Sequence, residues 1–424
     1  MERRTLYGAG LLVVVAGLAF CGVMMWRPAI APLTQPAVSD AVSASRGARV
    51  VEQGDCAVCH TRPGGAYMAG SLPLVTPFGT LYTTNITPDG DTGIGRWSEA
   101  AFTRAMRKGI ARDGHFLYPA FPYVHYSKMT DRDISDAYAF LMSVDPVRSV
   151  APDNHMMFPM NFRPLVSFWN LLFLHGDPPQ DDPAQSATWN RGRYLVEGAG
   201  HCASCHSPLN LIGGEKGSEL FNGGIVDGWH APTLKGMATA ANPWTQMQLV
   251  AYLRGEVASE HGGAAGPMLP VSLSLAQVPI SDVQAIADYL LSLQRTVDGP
   301  PAPPCQALKP AAPLASEGAA IFAGACASCH GDGAPMRAVD GRPGLAMTSA
   351  LQADDPRNLI KTVLEGIPLS TGTSSHYMPA FADSLDDQQL VALAQYLRTQ
   401  SCAGRPWANL DKTVTTIRSE GEPK

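Results

Sequence analysis

No cluster of lysine or arginine occurs in this sequence of 424 residues, whose 31 basic side chains are outnumbered by 37 acidic ones for a formal net charge of −6. That balance leaves no electrostatic footprint for nucleic acid. Also missing are a G-x-S-x-G elbow, an H-E-x-x-H helix, a P-loop and a G-x-G-x-x-G fingerprint set between a strand and a helix. With none of these common catalytic signatures present, catalysis by this chain alone is not expected. What the chain has in quantity is turn-forming residues, 41 Gly and 35 Pro, beside a hydrophobic fraction of 45%. Its length calls for two to four domains, joined by long connections.

Charge is absent from residues 6–26, which follow Met1-Glu2-Arg3-Arg4. The run is long enough to cross a bilayer as a helix, and its short basic flank keeps the start in the cytoplasm. A cleaved signal peptide is the alternative. Ala29-Ile30-Ala31 resembles a cleavage site, but Pro32 follows it and the apolar run exceeds the usual length. Either way the remainder is exported, to the periplasmic side of the inner membrane.

Nine cysteines are present, and six of them share one spacing. They stand in Cys56-Ala57-Val58-Cys59-His60, Cys202-Ala203-Ser204-Cys205-His206 and Cys326-Ala327-Ser328-Cys329-His330. C-x-x-C-H is the spacing of c-type haem attachment. Two thiols one helical turn apart reach the two vinyl groups of a porphyrin, and the adjacent imidazole binds iron from the same side. A zinc site needs about four protein ligands, and no second pair of Cys or His lies close to any motif. A redox dithiol has no use for His beside the second Cys three times over. Three covalently bound haem c groups are therefore expected, ligated by His60, His206 and His330.

The surroundings repeat as well. Gly47, Gly192 and Gly318 precede the three motifs in short helical stretches, and amphipathic segments at 131–144, 280–294 and 385–400 close each repeat. Acidic residues in the first turn of each closing segment suit the helix dipole. A small residue on the opening helix would let the closing helix cross it closely. This pattern resembles the class I cytochrome c fold. The expected architecture is mainly α: three tandem class I cytochrome c domains behind an N-terminal transmembrane helix. The expected boundaries are an anchor at 1–30, domains at 45–148, 186–296 and 316–402, a linker at 149–185, a Pro-rich linker at 297–315, and a polar tail at 403–424.

A haem that only transfers electrons usually closes its distal side with methionine. Met268, in Gly266-Pro267-Met268, and Met378, in Tyr377-Met378-Pro379, stand in loops between motif and closing helix. In the first repeat the equivalent position falls near Phe121 or Pro122, neither of which binds iron. The choice there is Met129, or His125 in its place, and bis-His ligation would lower that haem's potential. Cys305 and Cys402 bracket the third repeat. In an oxidising compartment they are candidates for a disulfide contributing about 4–5 kcal/mol in the chain-entropy model, against the alternative of two buried thiols. Exposed-looking apolar stretches at 156–162 and 168–174 either pack on their own domain or meet a partner subunit or the membrane surface.

Three further stretches carry a family resemblance: residues 76–89 (TPFGTLYTTNITPD), Gly93-Ile94-Gly95-Arg96-Trp97, and residues 117–123 (LYPAFPY). Together with the three motifs they resemble the tri-haem cytochrome c subunits of membrane-bound periplasmic dehydrogenases. The resemblance implies a catalytic dehydrogenase subunit as electron donor and ubiquinone as acceptor. Family members serving quinoprotein alcohol or flavin-dependent gluconate and fructose enzymes look to carry Met where this chain has Phe121. That departure, with Gly228-Trp229-His230-Ala231-Pro232 and Ala265-Gly266-Pro267-Met268, is more similar to subunits paired with molybdenum and iron–sulfur aldehyde or N-heterocycle oxidoreductases. A haem peroxidase is the enzymatic alternative, and only the first haem could supply its open distal site.

Overall fold

Short polar side chains start the helices that frame each repeat. In the computed structural model, which describes residues 22–421 except 23, 36, 241, 259, 295–315, 332, 335–343, 369–376 and 402–405, Asp40 opens helix α1 (Ala41–Gln53) by accepting from the N–H groups of Val42 and Ser43. The chain divides into two compact units, Met1–Gln180 with Glu197–His201, and Asp181–Val196 with Cys202–Lys424.

In the first unit α1 is followed by α2 (Cys56–His60), a hairpin of β1 (Pro73–Thr76) and β2 (Gly79–Tyr82), and α3 (Glu99–Lys108). Then come α4 (Tyr123–Tyr126), α5 (Asp131–Ser143), β3 (His155–Met156) and α6 (Val166–Phe173). Thr130 caps α5 through the N–H of Asp133. α1 and α5 cross at Gly47, where an added Cβ would stand 1.8 Å from the Asp136 carbonyl oxygen. Arg46 makes a two-pronged bond to the buried Asp136 carboxylate at 2.7 and 2.6 Å, fixing the crossing. Val50 and Val51 of α1 and Ile134, Tyr138 and Leu141 of α5 meet in a core with Met68, Met106 and Met129.

The second unit starts with α7 (Ala187–Glu197), whose last residue belongs to the first unit, and α8 (Ala203–His206). It continues through β4 (Gly224–Val226), β5 (Trp229–Ala231), α9 (Gln246–Leu253), α10 (Met268–Ala276) and α11 (Ile280–Ser292). The third repeat follows as α12 (Glu317–Ile321), α13 (Ala327–His330), α14 (Ser349–Gln352), α15 (Arg357–Glu365), α16 (Asp387–Thr399) and α17 (Leu410–Gly421). The same crossing recurs: a Cβ on Gly192 would lie 1.9 Å from the Ala285 carbonyl oxygen, and one on Gly318 2.1 Å from that of Ala392. Two clusters form, one around Leu195, Leu249, Val283 and Leu290, the other around Ile360, Leu390, Leu393 and Val414. Within this unit the β4–β5 hairpin rests on α15. The Asn358 amide accepts from the His230 N–H and donates to its carbonyl, both at 2.8 Å. Lys361 lies 5.5 Å over the Trp229 ring.

Two expectations change. Residues 149–185 are not a bare linker: β3 extends the hairpin by pairing with β2, and Asn170 of α6 accepts from the Tyr123 hydroxyl at 2.6 Å. The polar tail at 403–424 is the amphipathic helix α17, with Leu410, Val414 and Ile417 buried beside Trp407 in the third core. Among the described residues no helix is long and apolar enough to cross a membrane. Residues 1–21 and 23 of the anchor expected at 1–30, the linker at 297–315, and Cys305 and Cys402 lie outside the described residues.

Candidate functional site

The three C-x-x-C-H motifs fold as single turns of helix, Cys56–His60, Ala203–His206 and Ala327–His330. Their six thiols are unbridged. Burial is the main reason the Cys56 and Cys202 thiols are pushed up to about 12, and burial also raises the Cys326 thiol. Among the described residues no group of three or more His, Cys, Asp or Glu could hold a metal ion unaided. Each motif thus offers two separate thiols and one imidazole, a set suited to thioether attachment with one axial nitrogen.

The histidines are oriented by tertiary structure. His60 Nδ1 lies 2.6 Å from the Thr84 carbonyl oxygen, and His206 Nδ1 lies 2.7 Å from that of Pro232. A carbonyl only accepts, so Nδ1 carries the proton and Nε2 keeps the lone pair a metal needs. Burial lowers the pKa of both imidazoles, which favours the neutral, ligating form.

One device delivers both carbonyls. A glycine in the left-handed region, Gly70 at φ 71° or Gly223 at φ 93°, donates its N–H to the carbonyl of His60 or His206 at 2.7 and 2.8 Å. A hairpin then runs out and back, β1–β2 or β4–β5, and returns at Thr84 or Pro232. In the first repeat the 83–92 loop is held by Asn85, whose amide donates to the Thr92 hydroxyl and the Val147 carbonyl. Sequence patterning alone did not reveal Thr84, Pro232, Gly70 or Gly223. The repeated signal was a glycine followed by two short β-prone runs after the first two motifs.

Met268 opens α10 and packs against the second core. Gly266, two residues earlier at φ 52°, lies so close to Trp229 that a Cβ would sit 2.3 Å from the indole ring. The indole therefore positions the loop that carries Met268. Met378 packs against the third core and exchanges two backbone bonds with Ile367, at 2.8 and 3.0 Å. In the first unit Phe121 packs against the core and its ring meets that of Tyr126 at 5.4 Å. Met129 is 1% exposed, in the cluster that includes Cys56, and its carbonyl accepts from Arg107 at 2.8 Å. His125 is 2% exposed, with Nδ1 3.1 Å from the Glu197 carbonyl oxygen.

Comparison with known proteins agrees with this donor set. A family model described as "Cytochrome c" matches residues 44–145. One described as "Cytochrome C oxidase, cbb3-type, subunit III" matches residues 313–397. A nicotinate dehydrogenase subunit of Pseudomonas putida is 48% identical over 98% of this chain, which spans 36% of that protein's length. The gluconate 2-dehydrogenase cytochrome c subunit of Pantoea cypripedii is 35% identical, with 92% of this chain and 90% of that one covered. The fructose dehydrogenase cytochrome subunit of Gluconobacter japonicus is 33% identical over 91% and 85%. Haem-binding motifs set in cytochrome c domains, and relatives matched over most of both lengths, place the chain in the family of electron-transfer cytochrome c subunits of dehydrogenases.

Proposed function

We propose that this chain carries three covalently bound haem c groups on its periplasmic side and relays electrons from a molybdenum-dependent aldehyde or N-heterocycle dehydrogenase to ubiquinone or a terminal oxidase. Three C-x-x-C-H turns, each set in its own helical repeat, are the observation that carries the haem count. The 48% identity to a nicotinate dehydrogenase subunit supports a donor acting on an N-heterocycle, since nicotinate is one. A quinoprotein alcohol or flavin-dependent sugar dehydrogenase is the second reading, supported by the gluconate and fructose relatives.

When bound, haem supplies a reversible one-electron iron couple. The chain's residues do the rest. Cys56, Cys59, Cys202, Cys205, Cys326 and Cys329 would hold the macrocycles covalently, His60 and His206 would offer Nε2, and His330 would offer its imidazole. Met268 and Met378 supply thioethers that favour the reduced state. For the first centre, burial with Cys56 supports Met129, while the Nδ1 contact of His125 to the Glu197 carbonyl supports the histidine as an orientable alternative. The cores exclude water and so set the dielectric around each couple.

The test is elemental analysis of the complex purified from membranes through this chain. About one molybdenum per three haem irons, after subtracting iron–sulfur iron, is the expected outcome. Absence of molybdenum in a preparation that retains a large second subunit would overturn the assignment in favour of a quinoprotein or flavin donor.

A further inference from the structure

The turn that leads into the second haem motif is built into the first unit. Residues Glu197–His201 belong there. Ala199 is buried in the first core, with its carbonyl oxygen 3.6 Å from where a Cβ on Gly54 would stand. His125 Nδ1 approaches the Glu197 carbonyl. His201 Nε2 lies 3.2 Å from the Gly54 carbonyl oxygen, which also accepts from the Tyr126 hydroxyl at 3.3 Å. The Tyr126 ring meets the His201 imidazole edge-on, with centroids 5.7 Å apart. The His201 backbone sits at φ 35°, a conformation uncommon outside glycine. A side chain held this way in such a turn has its position specified rather than left to chance.

Gly54 stands two residues before Cys56, and His201 is joined by a peptide bond to Cys202. Because a carbonyl only accepts, the contact requires the proton on Nε2. We infer that His201 is a positioning residue for electron transfer: its Nε2–H bond to the Gly54 carbonyl completes a run of bonded atoms from Cys56 to Cys202. The inference rests on the haem reading of the first two motifs. Electronic coupling decays more slowly along covalent and hydrogen bonds than across a gap, so this route favours exchange between the first and second haems. One iron gains the electron the other loses. His201 is neither oxidised nor deprotonated in the step.

The test uses the full chain loaded with haem. His201→Asn tolerates the left-handed backbone but is too short to reach Gly54, whereas His201→Gln retains a donor of sufficient reach. After rapid photoreduction of one centre, redistribution between the first two haems is expected to slow severalfold in His201→Asn and to recover in His201→Gln. Midpoint potentials should be unchanged in both. Tyr126→Phe removes the other bond to Gly54 and should leave the rate alone; equal slowing there would reduce His201 to a structural role. An unchanged rate in a fully loaded His201→Asn protein overturns the proposal. Should that variant fail to load, nitrogen NMR of the reduced wild-type protein decides, since a His201 protonated on Nδ1 alone would exclude the bond. Haem content by pyridine haemochrome is measured first, and fewer than two haems in the first two motifs would defeat the underlying reading separately.

Discussion

A methyl group added at Gly192 would meet the Ala285 backbone carbonyl oxygen at 1.9 Å, and it would be 2.8 Å from the Tyr289 Cβ. Neither neighbour is the end of a flexible side chain, so the two helices must separate. Gly192→Ala is expected to destabilise the second unit by about 1–3 kcal/mol, the usual cost of overpacking, read by denaturant unfolding. Gly217→Ala is the control, because nothing stands within 4 Å of its Cβ position. These crossings were legible in the sequence because Gly47, Gly192 and Gly318 sit at one place in each repeat. The residues that orient His60 and His206 were not, since Thr84 and Pro232 act through backbone carbonyls that any side chain could accompany. The sixth ligands are also residue-scale claims. Met268→His or Met378→His is expected to lower the midpoint potential of one haem by on the order of 0.1 V, within the ~0.8 V range that axial ligation spans. Potentiometric titration with the haem spectra checks this. A near-infrared charge-transfer band equivalent to three methionine ligands would exclude His125.

At the scale of elements, the closing helices were the easiest to read. Acidic first turns and apolar residues at helical spacing survive into α5, α11 and α16, with capping by Thr130 and Asp386. The hairpins escaped notice because strands of three or four residues hold too few positions to establish an alternating pattern. α17 escaped because its composition is polar. Yet Leu410, Val414 and Ile417 lie at intervals of four and three, and that stripe is what enters the third core. The contact between hairpin and α15 gives a direct test. Asn358→Ala leaves the partly buried His230 N–H and carbonyl without their shared partner. A loss of about 1–3 kcal/mol is expected, and calorimetry should show the second and third repeats beginning to unfold separately.

For the whole molecule, the described residues hold one large hydrophobic core per repeat and a small cluster around Phe116 and Val166, in two units. The division follows packing rather than repeat number. Three repeats could be read from motif spacing, whereas the sharing of one unit by the second and third repeats could not, because it depends on a hairpin, Asn358 and Lys361 far apart in sequence. We propose that membrane attachment depends on the uncharged run at residues 6–26. Replacing residues 1–25 with a cleavable signal peptide is expected to move the cytochrome from the membrane to the soluble periplasmic fraction, with haem content retained, since the uncharged run is the length a bilayer requires. Fractionation with haem staining checks it. Retention of the shortened chain on membranes would instead implicate the apolar surface at 156–174, where Phe158 and Leu172 are exposed.

The burial of α17 bears on the order in which the molecule can be finished. Cys326 belongs to the cluster that Trp407, Leu410, Val414 and Ile417 complete, and those four residues follow it in the chain. The third C-x-x-C-H turn therefore keeps one side open to solvent until the segment that carries them has been made. The second core has no such dependence and can close as soon as its own closing helix arrives. A chain cut short before Trp407 would contain every haem-binding motif, yet it would leave the third one under an unfinished roof.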